Sequence, residues 1–230
     1  MRILSRRATQ LWQAQQFSKQ LLSCDTPRYE LRRHMRHLRR SLPLSQRVAL
    51  ANRLARHLVA CVHLRRSQRI GCYLAQDGEM DLTPLMKRLR GMGKQLYLPV
   101  LSGAQLSFLP FDAQTPLVKN RFGILEPHVP PSTRCPPRAL DLVLTPLVAF
   151  DDQGRRLGMG GGYYDRTFAY LLHRRHWQRP RLIGIAYQLQ RVATLRSREW
   201  DVPVHGIGTE RGLRFFAARA GEPLTNRYSG

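Results

Sequence analysis

The sequence lacks the features that mark several large classes of protein. No run of about 18 apolar residues occurs in the 230-residue chain, so we expect no helix that spans a membrane. The basic N-terminus has no apolar segment typical of a secretory signal. The four cysteines show no CxxC pair and no zinc-ligand spacing with histidine, which argues against a zinc site or a disulfide framework. We therefore expect free thiols and a cytoplasmic location.

Acidic residues and lysines are also scarce. The chain has 38 basic and 15 acidic residues, a formal net charge of +23, and only four of the basic residues are lysines. Such a charge suits nucleic acid, because phosphate neutralisation releases counterions. The arginines are spread along the whole chain, however, and a positive field would equally steer a phosphorylated, carboxylated small molecule. The charge alone does not discriminate, and nucleic-acid binding stays as the less favoured alternative.

What the sequence does contain is a long glycine-rich segment. Residues 154–166 read GRRLGMGGGYYDR and follow an apolar run at 140–150, and apolar residues recur at helical spacing over 164–173. This order predicts a buried strand, a glycine loop and a helix. Bare backbone N–H groups and the helix dipole would bind an anion there, and Arg155 and Arg156 would add mobile positive charge. We interpret the segment as a polyphosphate site.

Two familiar phosphate-binding motifs do not fit this segment. The Walker A motif needs Lys and then Ser or Thr after its last glycine, whereas Tyr163 and Tyr164 follow here. The dinucleotide motif, if begun at Gly158 and Gly160, needs a third glycine at position 163, where this sequence has tyrosine. A flexible surface loop is the remaining alternative, and five glycines within nine residues make it the weaker one.

Strands and helices alternate along the chain. Segments at 69–74, 94–100, 106–111 and 181–190 predict strands, and Thr83-Pro84 opens a predicted helix between the first two. The pattern predicts an α/β fold with a mostly parallel sheet sandwiched by helices, a three-layer Rossmann-like open sheet.

An amphipathic helix is predicted from residue 28 onwards. Apolar residues at helical spacing predict its core-facing side: Leu31, Met35, Leu38 and Leu42. Arginines are interpreted as its polar side: Arg32, Arg33, Arg36, Arg39 and Arg40. For Arg33, Arg36 and Arg40 we expect only exposure to solvent.

At the glycine segment the chain resembles a known family. The motif RLGMGGGYYDR, preceded by DLVLTPLVAFDDQG, is similar to the signature of 5-formyltetrahydrofolate cyclo-ligases, also called methenyltetrahydrofolate synthetases. The signature is long and contiguous, and the resemblance extends over residues 28–210. It implies a cyclo-ligase-like α/β domain at 28–210, with a poorly ordered extension at 1–27 and a tail at 211–230.

The resemblance implies an ATP-dependent reaction. ATP phosphorylates the formyl oxygen of 5-formyltetrahydrofolate, N10 of the substrate attacks the activated carbon, and phosphate leaves. The products are 5,10-methenyltetrahydrofolate, ADP and phosphate, with ATP and Mg²⁺ as cofactors. We read no Ser-His-Asp or Cys-His grouping, and we expect Asp151 and Asp152 in a solvated turn. A reaction that depends on orientation and charge neutralisation fits this absence.

The resemblance also implies roles at the nucleotide end of the site. The predicted ATP-binding residues are Arg28, Arg32, Arg156, Gly158, Gly160, Gly161, Gly162, Tyr163, Tyr164 and Asp165. Tyr164 and Arg156 are the predicted catalytic residues. Asp165 is the predicted magnesium ligand, and a helix-capping role is its alternative. Arg28 stands where the family has lysine, and His205 stands where many members have an aspartate for magnesium.

The folate is expected to contact a second set of residues. The family's glutamate-bearing turn maps onto Glu79, with Met80 as an apolar wall, and its Gly-Ile-x-Glu-Pro element maps onto 122–127. The predicted substrate-binding residues are Glu79, Met80, Phe122, Glu126, Tyr163 and Tyr164. A polar loop residue is the alternative for Glu79, and an ordered surface loop is the alternative for Phe122 and Glu126. We expect one of the two tyrosines only to pack against the sheet.

Two other function classes stay open. One is an RNA-binding module with a degenerate nucleotide fold, and the other is a different sugar-phosphate or acyl-transfer enzyme on the same kind of sheet. We favour the cyclo-ligase interpretation and expect a monomer that binds ATP and a reduced folate.

Overall fold

The structure is a computed structural model that describes residues 26–172 and 179–216, so residues 1–25 of the predicted extension lie outside it. Five helices are present in these ranges: α1 (Arg28–Arg40), α2 (Leu44–Ala60), α3 (Val62–Arg66), α4 (Thr83–Gly91) and α5 (Tyr163–Phe168). The strands in the same ranges are β1 (Arg69–Gly71), β2 (Gln95–Ser102), β3 (Gln105–Pro110), β4 (Leu117–Lys119), β5 (Leu125–Pro127), β6 (Leu142–Pro146), β7 (Ala149–Phe150), β8 (Arg156–Leu157), β9 (Arg181–Ile185), β10 (Gly206–Thr209) and β11 (Gly212–Phe215).

A seven-stranded sheet of order β11-β10-β9-β6-β1-β2-β3 organises these elements. The strands from β10 to β2 pair in parallel, whereas β3 and β11 pair antiparallel at the two edges. Right-handed crossovers through helices are the usual way to connect parallel neighbours. The predicted α/β fold with a mostly parallel sheet is confirmed.

The central strand β6 shows why the fold has three layers. Leu142 and Leu144 face one apolar cluster, which contains residues of α2 and α4, whereas Val143 faces the cluster that contains Phe168 of α5. Successive strand side chains point to opposite faces, so a strand buried on both sides must be apolar at every position. That requirement explains the continuous apolar run that precedes the glycine segment.

Helix α1 occupies the edge where the parallel strands end. Its Leu31 and Met35 pack in a small cluster with Val148, Leu157 and Leu195, which follow the carboxyl ends of β6 and β9. In open α/β sheets this edge is where ligands bind. The helix is therefore positioned to direct its polar residues toward the glycine loop.

The sheet extends past residue 210, where the sequence predicts the end of the domain, and the domain boundary itself stays a prediction. Strand β11 pairs antiparallel with β10 from Gly206↔Phe215 to Thr209↔Gly212, so the sheet includes residues 212–215 of the predicted tail.

None of the helices in the described residues has the length and apolar character that a membrane-spanning helix needs.

Candidate active site

The loop between β8 and α5 needs glycine for reasons of backbone conformation. Gly160 has a φ of 106° and Gly162 a φ of 67°, where residues with side chains are strained. A Cβ at Gly158 would meet no described atom within 4 Å, and one at Gly160 would lie 3.4 Å from Cζ of Arg32. The loop therefore offers bare backbone beside open space and beside a guanidinium group.

Helix α1 brings cations to this loop. Nε of Arg32 donates a 2.8 Å hydrogen bond to the Gly158 carbonyl, and both Nη atoms of Arg28 donate to Oδ2 of Asp201 at 3.1 and 3.2 Å. Burial lowers the pKa of Arg32, and the positive charges of Arg28 and Arg198 lower it further. Because its charged neighbours are mostly cations, this corner of the molecule suits an anion.

Arg156 and Asp165 are fixed to each other and to the chain that follows β9. Nη2 of Arg156 donates to Oδ1 of Asp165 over 2.6 Å, and its Nε donates to the Val202 carbonyl over 2.9 Å. The Val202 N–H donates to the same Asp165 oxygen at 3.2 Å. The Arg156 side chain is only 5% exposed. The prediction that Arg156 supplies mobile charge is therefore wrong, and its role toward ATP stays a prediction.

The turn that precedes the loop is also more ordered than predicted. Asp151 is 1% exposed, and its Oδ2 accepts hydrogen bonds from Arg155 Nε at 2.6 Å and from the Leu195 N–H at 2.9 Å. Arg155 is thus not mobile either, and the predicted solvated turn is wrong for Asp151. Asp152 is more exposed and pairs with arginines at the surface.

Glu79 lies in a tight turn at the carboxyl end of β1. Its side chain is 9% exposed; Oε2 accepts from the Gln76 N–H at 3.1 Å, and Oε1 lies 3.6 Å from Nη2 of Arg39. Burial raises the pKa of Glu79, and Arg39 is the strongest of the groups that oppose this rise. Such a desolvated carboxylate with a specific charge partner is typical of functional sites.

The charge of Glu79 acts on Tyr164, although 85 positions separate the two residues in the chain. Burial raises the pKa of the Tyr164 hydroxyl, and the negative charge of Glu79 is the next largest cause. Burial also raises the pKa of Tyr73, which follows β1, and the charge of Glu79 raises it further. We call the group formed by the glycine loop (158–162), Arg32, Tyr164 and Glu79 the candidate site.

The two adjacent tyrosines of α5 have different surroundings. The Tyr164 ring is stacked on Phe168 with a centroid distance of 6.4 Å, and the Tyr163 ring lies under the Arg166 guanidinium at 5.1 Å. Both rings also pack on the apolar cluster beneath α5. The Glu79 charge contributes to the raised pKa of Tyr164, which supports the prediction that Tyr164 faces the substrate.

Of three other predicted folate contacts, two have side chains held by the protein itself and one is exposed to solvent. Met80 is 1% exposed within the core. Oε1 of Glu126 accepts from the Leu101 N–H at 3.0 Å and from Asn120 Nδ2 at 2.9 Å, which anchors the β4–β5 hairpin to β2. Phe122 is 59% exposed, with the Arg121 guanidinium 4.9 Å from its ring centre. Their contacts with substrate stay predictions.

The described residues offer few side-chain ligands for the predicted magnesium ion. Among the described residues no group of three His, Cys, Asp or Glu could hold a metal ion. One oxygen of Asp165 already binds Arg156 and Val202. Nδ1 of His205 accepts from the Leu182 N–H at 2.9 Å, and burial lowers the His205 pKa to about 4. His205, which precedes β10, is therefore held as a neutral hydrogen-bond acceptor against Leu182 of β9.

A charged cluster that the sequence did not predict lies between α1 and the Glu79 turn. Asp77 forms ion pairs with Arg36, Arg39 and Arg40, so the prediction that Arg36 and Arg40 are merely solvated is wrong, whereas Arg33 is exposed as expected. Arg39 is fully buried and does not lie on the polar side of α1. A signal for it exists, because Leu31, Met35 and Arg39 are spaced by four residues and share one face.

Comparison with known proteins gives consistent matches. The sequence model of the 5-formyltetrahydrofolate cyclo-ligase family matches residues 25–210. The 5-formyltetrahydrofolate cyclo-ligase of Haemophilus influenzae is 37% identical over 185 residues, which cover 78% of this chain and 96% of that protein. The protein of the same name from Escherichia coli strain K12 is 37% identical over 180 residues, which cover 76% and 96% of the two chains.

Solved structures agree with the sequence matches. The NMR structure of Aquifex aeolicus 5,10-methenyltetrahydrofolate synthetase superposes with a TM-score of 0.72 at 31% identity, covering 87% of this chain and 99% of that one. A 5,10-methenyltetrahydrofolate synthetase from Mycoplasma pneumoniae superposes with a TM-score of 0.63 at 23% identity, covering 80% and 99%, and supports the fold.

Proposed function

The chain belongs to the 5-formyltetrahydrofolate cyclo-ligase family, and from this premise we propose that the candidate site is where it converts 5-formyltetrahydrofolate and ATP to 5,10-methenyltetrahydrofolate, ADP and phosphate. The observation that supports this most is the meeting of two chemically different groups. A bare glycine backbone with arginines suits a polyphosphate, and a buried carboxylate beside Tyr164 suits a polar heterocycle.

At the nucleotide end, the glycine amides and the arginines of α1 would bind the phosphates. Arg32 is half-buried, close to the like charges of Arg28 and Arg198. A bound polyanion would relieve this repulsion and would form charge-assisted hydrogen bonds, which are stronger than neutral ones. Arg156 is assigned to orient Asp165 through their 2.6 Å contact, since its side chain is nearly buried.

At the folate end, Glu79 would accept hydrogen bonds from the amine and ring N–H groups of the pterin. The hydroxyl of Tyr164 stays protonated at neutral pH, because burial and the Glu79 charge raise its pKa. A protonated phenol can donate a hydrogen bond to the formyl oxygen and hold it in line with the γ-phosphorus. The ring of Tyr164 would lie against the substrate.

The reaction then proceeds in two displacements. The formyl oxygen attacks the γ-phosphorus, the bond to the β-phosphate oxygen breaks, and ADP leaves. N10 of the same folate attacks the activated formyl carbon, loses its proton, and expels phosphate. Both steps depend on the alignment of bound groups and on neutralisation of phosphate charge, which a fixed loop and fixed arginines supply.

We further propose that magnesium enters with ATP. Mg²⁺ favours oxygen ligands and commonly uses one or two carboxylates together with phosphate oxygens and water. Oδ1 of Asp165 binds Arg156 and Val202, so Oδ2 is the oxygen left for a cation. This single oxygen fits a metal held mainly by the nucleotide. When bound, the ion would neutralise charge on the phosphates.

The test of this function is direct. Purified protein is mixed with 5-formyltetrahydrofolate, ATP and Mg²⁺, and the methenyl product is followed by its near-ultraviolet absorbance. We expect product formation that requires ATP and releases one ADP per turnover. No product at any protein concentration, or product that forms equally without ATP, would contradict the assignment.

Two finer properties are proposed with this function. The described cysteines Cys61, Cys72 and Cys135 are free thiols, which supports action in a reducing compartment such as the cytoplasm. We also propose a monomer, because one chain contributes both ends of the candidate site. Light scattering after gel filtration would give the mass, and a dimer at enzyme-assay concentrations would contradict the monomer.

A further inference from the structure

Arg39 is the only fully buried arginine among the described residues, and it touches both ends of the candidate site. Its Nη2 lies 3.6 Å from Oε1 of Glu79 and 3.8 Å from the sulfur of Met159 in the glycine segment. Its Nε and Nη2 also donate to the carbonyl and to Oδ2 of Asp77, each at 2.9 Å. One guanidinium therefore joins α1, the Glu79 turn and the glycine segment.

The requirements of folding alone do not explain a charge at this position. Moving an arginine out of water costs several kcal/mol, and a well-packed apolar residue is often as stable in its place. Its neighbours on the same face of α1 are Leu31 and Met35. Within the described part of the chain, the buried Nη1 of Arg39 also has no hydrogen-bond partner. Arginine at position 39 therefore costs free energy of folding that methionine at the same position would not cost.

The charge on Asp77 does not explain Arg39 either. Asp77 is also paired with Arg36 and Arg40, which are more exposed and closer to water. Three arginines thus face one aspartate, so the cluster has a net positive charge when Glu79 is left out. The nearest other carboxylate to Arg39 is that of Glu79.

We propose that Arg39 is a positioning residue that holds the Glu79 carboxylate charged and oriented toward the folate. The proposal rests on the function proposed for the candidate site. Glu79 accepts a hydrogen bond from Gln76 on one oxygen and faces Arg39 with the other, so its plane is set from two sides. A fixed, ionised carboxylate can accept two hydrogen bonds from a pterin, whereas a protonated one cannot accept both.

The pH dependence follows from the groups that face Glu79. These are Arg39 and Arg36 from α1, Asp77 from its own turn, Tyr73 after β1 and Tyr164 from α5. Burial raises the Glu79 pKa, and Arg39 is the largest influence that lowers it. Removal of the Arg39 charge should raise the Glu79 pKa further. The acidic limb of the profile for folate use should then move to higher pH.

The experiment compares Arg39→Met with Arg40→Met. Both variants lose one arginine that pairs with Asp77. Arg40 is exposed, and among the described residues the ion pair with Glu79 is made by Arg39. For Arg39→Met we expect kcat/KM for the folate to fall roughly tenfold to hundredfold, with the KM for ATP changed by less than about twofold. The acidic limb should move upward in pH, and Arg39→Lys should return it toward wild type. Arg40→Met should resemble wild type in both.

A double-mutant cycle separates positioning from general structural support. In the Glu79→Gln background there is no carboxylate to charge, so adding Arg39→Gln should cost little more in folate kcat/KM. Arg39→Gln also replaces Arg39→Met as the neutral variant if the latter does not fold by circular dichroism, because its amide can still donate to the Asp77 carbonyl. Additive losses in this cycle, or a folate profile equal to that of Arg40→Met, would overturn the proposal. Wild-type protein that makes no methenyl product would instead refute the proposed function.

Discussion

The two ends of the candidate site are built in different ways. The nucleotide end is one contiguous segment, residues 158–162, whose shape follows from glycine φ angles and whose cations come from a single helix turn. The folate end is assembled from separate segments, with Glu79 set by Arg39 of α1 and close to Tyr164 of α5. Local conformation determines the first end, and long-range electrostatics determine the second.

This difference has an energetic consequence. A substitution in the glycine loop changes backbone strain and the space for a ligand, so its effect should be large and confined to ATP. A substitution at the folate end changes the balance of buried charges, so its effect should be smaller and should depend on pH. The following predictions, in order of decreasing effect, test the contrast.

Gly160→Val should abolish detectable ATP binding. A β-branched residue is strained at a φ of 106°, and its Cβ would lie 3.4 Å from Arg32 Cζ. We expect affinity for ATP to fall by more than roughly a hundredfold, because several charge-assisted contacts are lost together. Titration calorimetry with a non-hydrolysable ATP analogue would measure this.

Gly103→Val is the matched control for this loss. Gly103 also has a positive φ, 58°, and a Cβ there would meet no described atom within 4 Å. Both variants should lose about 1–3 kcal/mol of stability from backbone strain. If Gly160→Val binds ATP as well as Gly103→Val does, the loop is not the phosphate site.

Asp165→Asn should lower kcat roughly tenfold to hundredfold and raise the magnesium requirement. A neutral amide is a poor ligand for a hard cation. The structure adds a stability cost, because Arg156 is 5% exposed and loses its charged partner. We expect about 1–3 kcal/mol from thermal unfolding, whereas a pure helix-capping role predicts near-normal stability and activity.

Magnesium titration of activity decides between these roles of Asp165. Asp152→Asn is the control, since Asp152 is a more exposed carboxylate whose partners are Arg191 and Arg214. Its magnesium curve should match wild type. An Asp165→Asn curve that superimposes on both would refute the metal assignment.

Arg32→Ala should raise the KM for ATP roughly tenfold to hundredfold and leave the KM for folate nearly unchanged. Arg32 donates to the Gly158 carbonyl, so its loss removes a support of the loop together with the proposed phosphate contact. Arg33→Ala removes the adjacent exposed arginine and should have little effect. Equal changes in both KM values would show that Arg32 only supports the fold.

Glu79→Gln should weaken folate use by about tenfold and spare ATP, since it removes charge and keeps size. The folded pKa of Glu79 lies above its ordinary value, so the buried charge costs stability as pH rises from the ordinary pKa through the folded one. The Gln variant should therefore be no less stable than wild type above this range. Unchanged folate affinity would leave Glu79 only a structural role in its turn.

Much of the fold was readable from the sequence, and the errors share one cause. Strands β1, β6 and β9 lie within predicted segments, and β2 and β3 overlap theirs but extend past one end. The glycine loop lies between a strand and a helix as predicted. The errors concern charged groups that have partners. Arg36, Arg39 and Arg40 pair with the distant Asp77, and Asp151 is bound by both the nearby Arg155 and the distant Leu195. Periodicity treats every arginine as exposed, and it misplaced Arg39 despite its four-residue spacing from Met35.

The sequence by itself determined the parallel α/β sheet, the family and the position of the glycine loop, because periodicity and glycine conformation are properties of neighbouring residues. The tertiary structure alone decided which charges meet. Arg28 pairs with Asp201 across 173 positions of the chain. Arg156 donates to the Val202 carbonyl across 46 positions, and Arg39 donates to the Asp77 carbonyl across 38. The free energy of each contact depends on how much water the surrounding chain removes, and spacing along the sequence does not encode that quantity.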